Sequence, residues 1–305
     1  RMAGFGAHPR LSHMILEGAR RGLGPLACEL AAVLSERDLL RGPGARADAD
    51  IRTRVEALHG APPPAGASVD PGARARAQRL ARQWQEELGV TAGRGGSTQQ
   101  AGLLLALAYP DRIGSRRGGA GRFLLSGGRG AFLAEMQALS QADWLVAAEL
   151  DAGEREARIF LAAPLAREDI DAGLAALVGE SEVIRWDARE GAVLARRERR
   201  LGALLLDESA LAAADPGRVL GALLEGLRGA GMQALPWTKA ATALRERAEF
   251  VRRHLGDAEP DWAALDDGSL MDSLADWLAP WLDGVTRLSH LGSVDLHAAL
   301  AARLG

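Results

Sequence analysis

Cysteine and lysine occur once each in this chain, as Cys28 and Lys239. A lone thiol permits no disulfide within the chain and no zinc site built on thiolates. In GPLACELAAVL it falls within an apolar helical pattern and reads as a small buried hydrophobe. One thiol also fits a reducing, cytoplasmic setting. A phosphate-binding P-loop requires a lysine behind its second glycine. The lysine stands instead in LPWTKAA, without the glycines, so the chain carries no such loop. The six histidines, at 8, 13, 59, 254, 290 and 297, show no His-Glu-x-x-His spacing, and no metal site is expected. No Gly-x-Ser-x-Gly nucleophile elbow is present. GLGPLA, at 22–27, fits a dinucleotide fingerprint formally, but it follows a helical pattern and reads as a turn and helix start. The acidic run DAEPDWAALDD, at 257–267, reads as solvated surface rather than an acid/base pair. Apolar runs are short: GLLLALAY, at 102–109, is far below the roughly 18 residues of a membrane helix, so no membrane partner is expected. No signal-peptide layout opens the chain. Arg1, where a start methionine would stand, suggests a fragment.

Arginine, by contrast, is plentiful. It makes up all but one of the 37 basic residues, against 40 acids and a net charge of −3. GC-rich bacterial genomes write positive charge this way, so only clustering is informative. RIGSRRGGAGRFLLSGGRG, at 112–130, holds Arg112, Arg116, Arg117, Arg122 and Arg129, with seven glycines and no acid. A second cluster, Arg185, Arg189, Arg196, Arg197, Arg199 and Arg200, carries three acids. The last fifty residues, 256–305, sum to −7. Charge is thus segregated along the chain.

Periodicity divides the sequence. Residues 10–108 read as helices. PRLSHMILEGAR puts Leu11, Met14, Ile15 and Gly18 on one face. PLACELAAVL aligns Leu26, Leu30, Val33 and Leu34 behind Pro25, which suits a first helical turn. DIRTRVEAL aligns Ile51, Val55 and Leu58. ARARAQRLARQWQEEL aligns Leu80, Trp84 and Leu88 before Gly89. Such stripes predict a helical bundle, interrupted by flexible loops at 59–71 and 89–100. After Tyr109 the period shortens. GRFLLS, WLVAAELD and REARIFLAA read as strands, the last two joined by DAGE. REDIDAGLAALVG returns to helix. EVIRWD and AVLARRERRLGALLLDE read as two more strands around Gly191. Three strands, a helix and two strands predict a small antiparallel barrel of the oligonucleotide-binding (OB) type. From 207 the chain is helical again: WTKAATALRERAEFVRRHL aligns Trp237, Leu244, Ala248, Val251 and Leu255. Trp262, Trp277 and Trp281 read as core anchors of short helices. The predicted fold class is multidomain α+β: a helical bundle, an OB-like β-barrel, then a mainly helical C-terminal domain.

On such a barrel, cations track phosphates and guanidinium planes stack on bases, while glycines admit close backbone approach. Arg112, Arg116, Arg117, Arg122 and Arg129, with Arg196, Arg197 and Arg200, are therefore the candidate nucleic-acid-binding residues. Phe123, Phe132 and Trp186 are the only aromatics near them, which favours backbone binding with little sequence preference. The competing reading is a solvated loop. No residue is assigned a catalytic or metal-binding role.

GFGAHPRLSHMILEGARRG with LACELAAVLSERDLLRG, LLALAYPDRIGSRRGGAGRFLLSGGRGA, WLVAAELD with EARIFLAAPL, ARRERRLGALLLDE, and LLEGLRGAGMQALPWTKAATALRERAEFVRR resemble, in that order, the C-terminal half of bacterial HrpB-type ATP-dependent helicases of the DExH group. The resemblance implies a winged-helix tail at 1–9, a ratchet-like helical bundle at 10–108, the OB-like barrel at 109–206 and a truncated HrpB-type C-terminal domain at 207–305. It implies an ATP-dependent RNA helicase as parent, whose RecA-like motor domains, with ATP and Mg, lie outside this stretch; no cofactor is expected within it. The implied function is an accessory module contacting single-stranded RNA, or DNA, through its arginine-rich loops. The alternative is an interaction scaffold that docks on the motor domains or another protein and uses its arginines in internal ion pairs.

Overall fold

The computed structural model describes residues 5–90, 97–153, 156–255 and 263–305, with no side chain for Leu255. Trp262, the first part of the acidic run 257–267, residues 91–96 of the second loop, Glu154 and Arg155 of the hairpin, and residues 1–4 lie outside them. The chain divides into two compact units, 1–179 with 199–206, and 180–198 with 207–305.

In the first unit, helices α1 (Pro9–Arg20) and α2 (Gly24–Ser35) are followed by a two-residue strand β1 (Leu40–Arg41) and the short α3 (Pro43–Ala47). Then come α4 (Ile51–Leu58), strand β2 (Ser68–Val69), α5 (Pro71–Leu88) and α6 (Ala101–Ala108). The stripe expected on α1 is the buried one, Leu11, Met14, Ile15 and Gly18. On α5 the buried stripe is instead Ala73, Ala77, Ala81 and Trp84; Leu80 and Leu88 only flank the core. Asp70 caps this helix by accepting from the N–H groups of Gly72 and Ala73 at 2.9 and 3.1 Å. Such a cap is worth about 1 kcal/mol. Gly89, at φ +69°, ends it. The loop expected at 59–71 ends in structure: β2 pairs antiparallel with β1, Leu40 opposite Val69.

A closed five-stranded barrel follows: β3 (Ile113–Arg116), β4 (Arg122–Leu125), β5 (Gly130–Phe132), β6 (Trp144–Leu150) and β7 (Glu156–Pro164), in the order β3-β4-β5-β7-β6. β3 closes it by pairing with both β4 and β6. Two expectations are corrected. The barrel is not wholly antiparallel, because β5 and β7 run parallel, Gly130 beside Glu156. Nor do the strands after residue 178 complete it. REDIDAGLAALVG forms only a single π turn, Asp169–Gly173, and a 3-10 turn, Ala175–Leu177. Strands β8 (Val178–Asp187), β9 (Ala192–Leu201) and β10 (Leu204–Ala210) then make a separate three-stranded sheet. The segment read as one long strand, 192–208, is split at Gly202, whose φ of +56° places a turn that other residues rarely adopt.

Barrel strands alternate, with the register shifting where β6 meets β7 near Glu149 and Leu150. Phe123, Leu125, Ala131, Leu145, Ala147, Ala157 and Ile159 fill the interior. Ile113, Val146, Ala148, Leu161 and Ala163 join the helical core outside. α6 is buried almost all round, which suits a helix wedged between helices and a barrel wall.

The second unit carries α7 (Pro216–Ala230), α8 (Lys239–Leu255), α9 (Asp267–Asp272), α10 (Leu274–Trp277) and α11 (Leu296–Leu304) around a core of Leu223, Leu227, Leu270, Leu274, Leu278 and Leu300. Trp277 is an anchor as expected, its indole N–H donating to the Leu270 carbonyl at 2.9 Å. Trp281 and Val251 are not: they are 37% and 38% exposed.

Candidate nucleic-acid interface

The segment 112–130 is less a loop than a strand–turn–strand–turn. Its glycines serve the turns: Gly118, Gly121 and Gly128 have φ of +62°, +78° and +87°. Arg116 ends β3 and Arg122 opens β4. Arg117 and Arg129 stand on the two turns, and Arg112 on the 3-10 turn before β3.

Each guanidinium meets a partner. Arg116 pairs with Asp143 at 2.6 Å, both exposed to solvent. Arg117 and Arg122 share one carboxylate, Glu156 at the start of β7, at 2.6 and 2.7 Å. Arg129 donates to the carbonyl of Gly153. Arg112 donates to the Ala148 carbonyl at 2.8 Å and lies over the Tyr109 ring, 4.8 Å from its centre. Arg117, Arg122 and Arg129 are thus brought together around the β4–β5 turn and the start of β7. Arg112 is the most committed to the barrel wall. The pairs are accessible rather than buried: the Arg117 and Arg122 side chains are 48% and 60% exposed.

The second group lies on strand β9, not on loops. Arg196 pairs with Glu208. Arg197 lies 3.6 Å from Glu182. Arg200 reaches the Ala203 carbonyl at 3.3 Å across the β9–β10 turn. Arg196 and Arg197 count with the second unit and Arg200 with the first.

Two groups were missed in the sequence. In REARIFLAA the alternation sets Ala157, Ile159 and Leu161 on one face, of which Ala157 and Ile159 point into the barrel. The outward face, Glu156, Arg158 and Phe160, was available from the same alternation. Arg158 lies over Phe160, 5.1 Å from the ring centre, and its buried Nε has no hydrogen-bond partner among the described residues. Both line a cleft of about 640 Å3 with Arg41, Arg46, Arg54 and Glu149. Burial, and then the charge of Asp38, push the Glu149 carboxyl above its usual range. Cys28 is buried as expected; burial first, then Glu29 and Glu87, push its thiol up to about 12. Among the described residues no histidine, cysteine and carboxylate group is placed to hold a metal. No described helix is long and apolar enough to cross a membrane.

Known proteins resemble the chain throughout. It is 33% identical over 306 residues to the ATP-dependent RNA helicase HrpB of Escherichia coli K12. A family profile described as the connector region of ATP-dependent RNA helicase HrpB matches residues 177–211. Two solved structures, the E. coli DExH-box NTPase HrpB and the E. coli DEAH/RHA helicase HrpB, align over the whole chain at 31% identity, with TM-scores of 0.58 and 0.55. These likenesses support a C-terminal part of an HrpB-type helicase. The chain matches over all of its own length but covers only 35% of these relatives. Strands β8–β10, with Arg196, Arg197 and Arg200, fall in the HrpB connector stretch. The barrel and its arginine turns fall in the part that aligns with HrpB outside that profile.

Proposed function

We propose that the chain is an accessory nucleic-acid-binding module of an ATP-dependent RNA helicase of the DExH group, holding single-stranded RNA on the barrel's arginine turns. The supporting observation is that two exposed guanidinium groups, those of Arg117 and Arg122, share the carboxylate of Glu156. Exposed ion pairs are worth about 0–1 kcal/mol, so a phosphate can displace Glu156 from either arginine at little cost. The barrel's strand order, first to second to third, then fifth and fourth, closing on the first, is that of an OB-like fold that binds oligonucleotides. On this reading the RecA-like motor domains are the other partner, and ATP and Mg belong to them. The only lysine, Lys239, opens α8 directly after Thr238 with no glycine-rich turn before it, so these residues do not fit a triphosphate. The domain scheme of bundle, barrel and C-terminal domain is part of the same proposal, as is a cytoplasmic setting.

The alternative, a scaffold whose arginines act internally, draws support from the partner found for each arginine of 112–130. Equilibrium binding of a labelled oligouridylate at increasing salt decides between the two. The wild-type chain should bind, and weaken steeply with salt. Changing both Arg117 and Arg122 to alanine should flatten the log–log slope by about 0.7 per lost contact. Glu156→Gln, which frees both guanidinium groups, should strengthen binding. A folded chain that binds no RNA at low salt, or one indifferent to all three substitutions, would favour the scaffold.

A further inference from the structure

The geometry points to the cleft between the β1–α3 segment and the outer face of strands β6 and β7 as a nucleotide-binding site, with Phe160 and Arg158 as its stacking platform and Arg46 and Arg41 as its phosphate contacts. This rests on the RNA reading above and assigns it a second, base-recognising contact.

The cleft is built into one unit of the fold. The backbone N–H of Ala162 on β7 donates to the Ala49 carbonyl at 2.8 Å, tying the segment before α4 to the barrel wall. Above that seam, Arg41, Arg46 and Arg54 face Arg158 and Phe160 across about 640 Å3, room for a nucleoside and its phosphate. Arg54 is spent on structure, bound to Asp38 and Asp48 at 3.1 and 3.2 Å. Arg41, its side chain two-thirds exposed, pairs with Asp70, which is already engaged in capping α5. Among the described residues, the side chains of Arg46 and Arg158 have no hydrogen bond or ion pair. Arg158 lies on Phe160, and its Nε is withdrawn from water without an acceptor. A buried N–H without a partner is costly, and a ligand oxygen would supply one.

Phe160 is 43% exposed, a large apolar side chain left to solvent. A flat ring beside a guanidinium plane is a surface on which any base stacks. Two acids also line the cleft. Asp38 is paired with Arg54, and burial, then the charge of Asp38, hold the Glu149 carboxyl above its usual range. The base therefore lies on Phe160 and Arg158, and the phosphate toward Arg46 and Arg41. The site also continues into the arginine turns. Phe160, Arg158 and Glu156 alternate outward along β7, and Arg158 lies beside Phe132, which lies opposite Arg122. From Phe160 to Glu156 is about 13 Å at strand spacing, within reach of one extended strand.

The test uses the 305-residue chain with an oligouridylate carrying 5-iodouridine, and separately with UMP. Irradiation should place the crosslink on the peptide containing Phe160, located by mass spectrometry. Phe160→Ala should weaken oligouridylate binding about tenfold, and Phe160→Tyr should restore it, with the melting temperature unchanged in both. Saturable UMP binding that Phe160→Ala abolishes, without oligouridylate binding, would keep the cleft as a free-nucleotide site and discard the RNA reading. Crosslinks confined to 112–130, with Phe160→Ala binding as wild type, would overturn the cleft and leave the arginine turns in place. A folded chain that binds neither ligand would overturn both.

Discussion

The arginines of this chain do two different jobs, and burial separates them. Arg54 is 1% exposed and holds four groups at once: the carboxylates of Asp38 and Asp48, and the carbonyls of Ala45 and Asp50 at 2.8 and 3.3 Å. It locks α4 to the turn before it. Removing one partner of a buried pair leaves the others uncompensated, at about 3–5 kcal/mol. Asp38 and Asp48 keep some solvent, so Arg54→Met should fall near the lower end, about 3 kcal/mol, read as a lowered urea midpoint at unchanged slope. A loss below about 1 kcal/mol would mean that water already satisfies the two acids. Arg117 and Arg122, on exposed pairs, should cost almost nothing to remove, which is why their alanine variants can report on binding alone. In the sequence all three arginines look alike. What distinguishes them is whether they sit inside the β1–α4 turn or on the rim of the barrel.

At the level of elements, the readable parts were those held by large side chains or by caps. α1 is where Leu11, Met14 and Ile15 put it, and α5 ends at Gly89. The unreadable parts were held by small residues and turns. The buried face of α5 is mostly alanine, so the helix approaches the core closely. β3 and β5 were hidden in a glycine-rich segment that looked flexible, and the turn at Gly202 was lost in a run of apolar and charged residues with continuous strand character. The same close approach explains Gly102 on α6. A Cβ there would fall on the Pro164 carbonyl at the end of β7, and on backbone that cannot swing aside. Gly102→Ala raises helix propensity yet should destabilise the chain by about 1–3 kcal/mol through overpacking. Gly221, on α7, has open space around it and serves as the control. Gly221→Ala should be neutral or stabilising in the same chemical denaturation, and equal behaviour of the two variants would show that α6 can shift off the barrel.

For the whole molecule, net charge near neutrality hides a bias in how its carboxylates are held. Backbone N–H groups hold Asp70, Asp151 and Asp187 below their usual range: those of Ala73 and Gly72 for the first, Arg158 and Gly153 for the second, Glu190 and Arg189 for the third. Asp171 is lowered mainly by its hydrogen bond from Arg167, and Asp266 by that from Ser269. Asp111 and Glu249 are also lowered: burial works against this, but the bonds they accept from Arg10 and from the Leu265 N–H outweigh it. Among the described residues only Glu149 and Asp169 move the other way, chiefly through burial. A carboxyl whose folded value is depressed binds its proton more tightly once unfolded, so acidification favours the unfolded chain. The stabilisation these groups give is complete above the ordinary carboxylate range, near pH 4–5, and is lost as pH falls through their lower folded values. Glu149 and Asp169 oppose the trend but are outnumbered. The urea midpoint should therefore stay nearly flat from pH 7 to about 5.5 and fall steadily below about pH 4.5. Because the lowered groups lie in both units, the acid loss should appear in each, followed by Trp84 fluorescence in the first and Trp277 fluorescence in the second, using single-tryptophan variants. A midpoint that rises on acidification would mean that Glu149 and Asp169, rather than the capped and paired carboxyls, set the acid response of the fold.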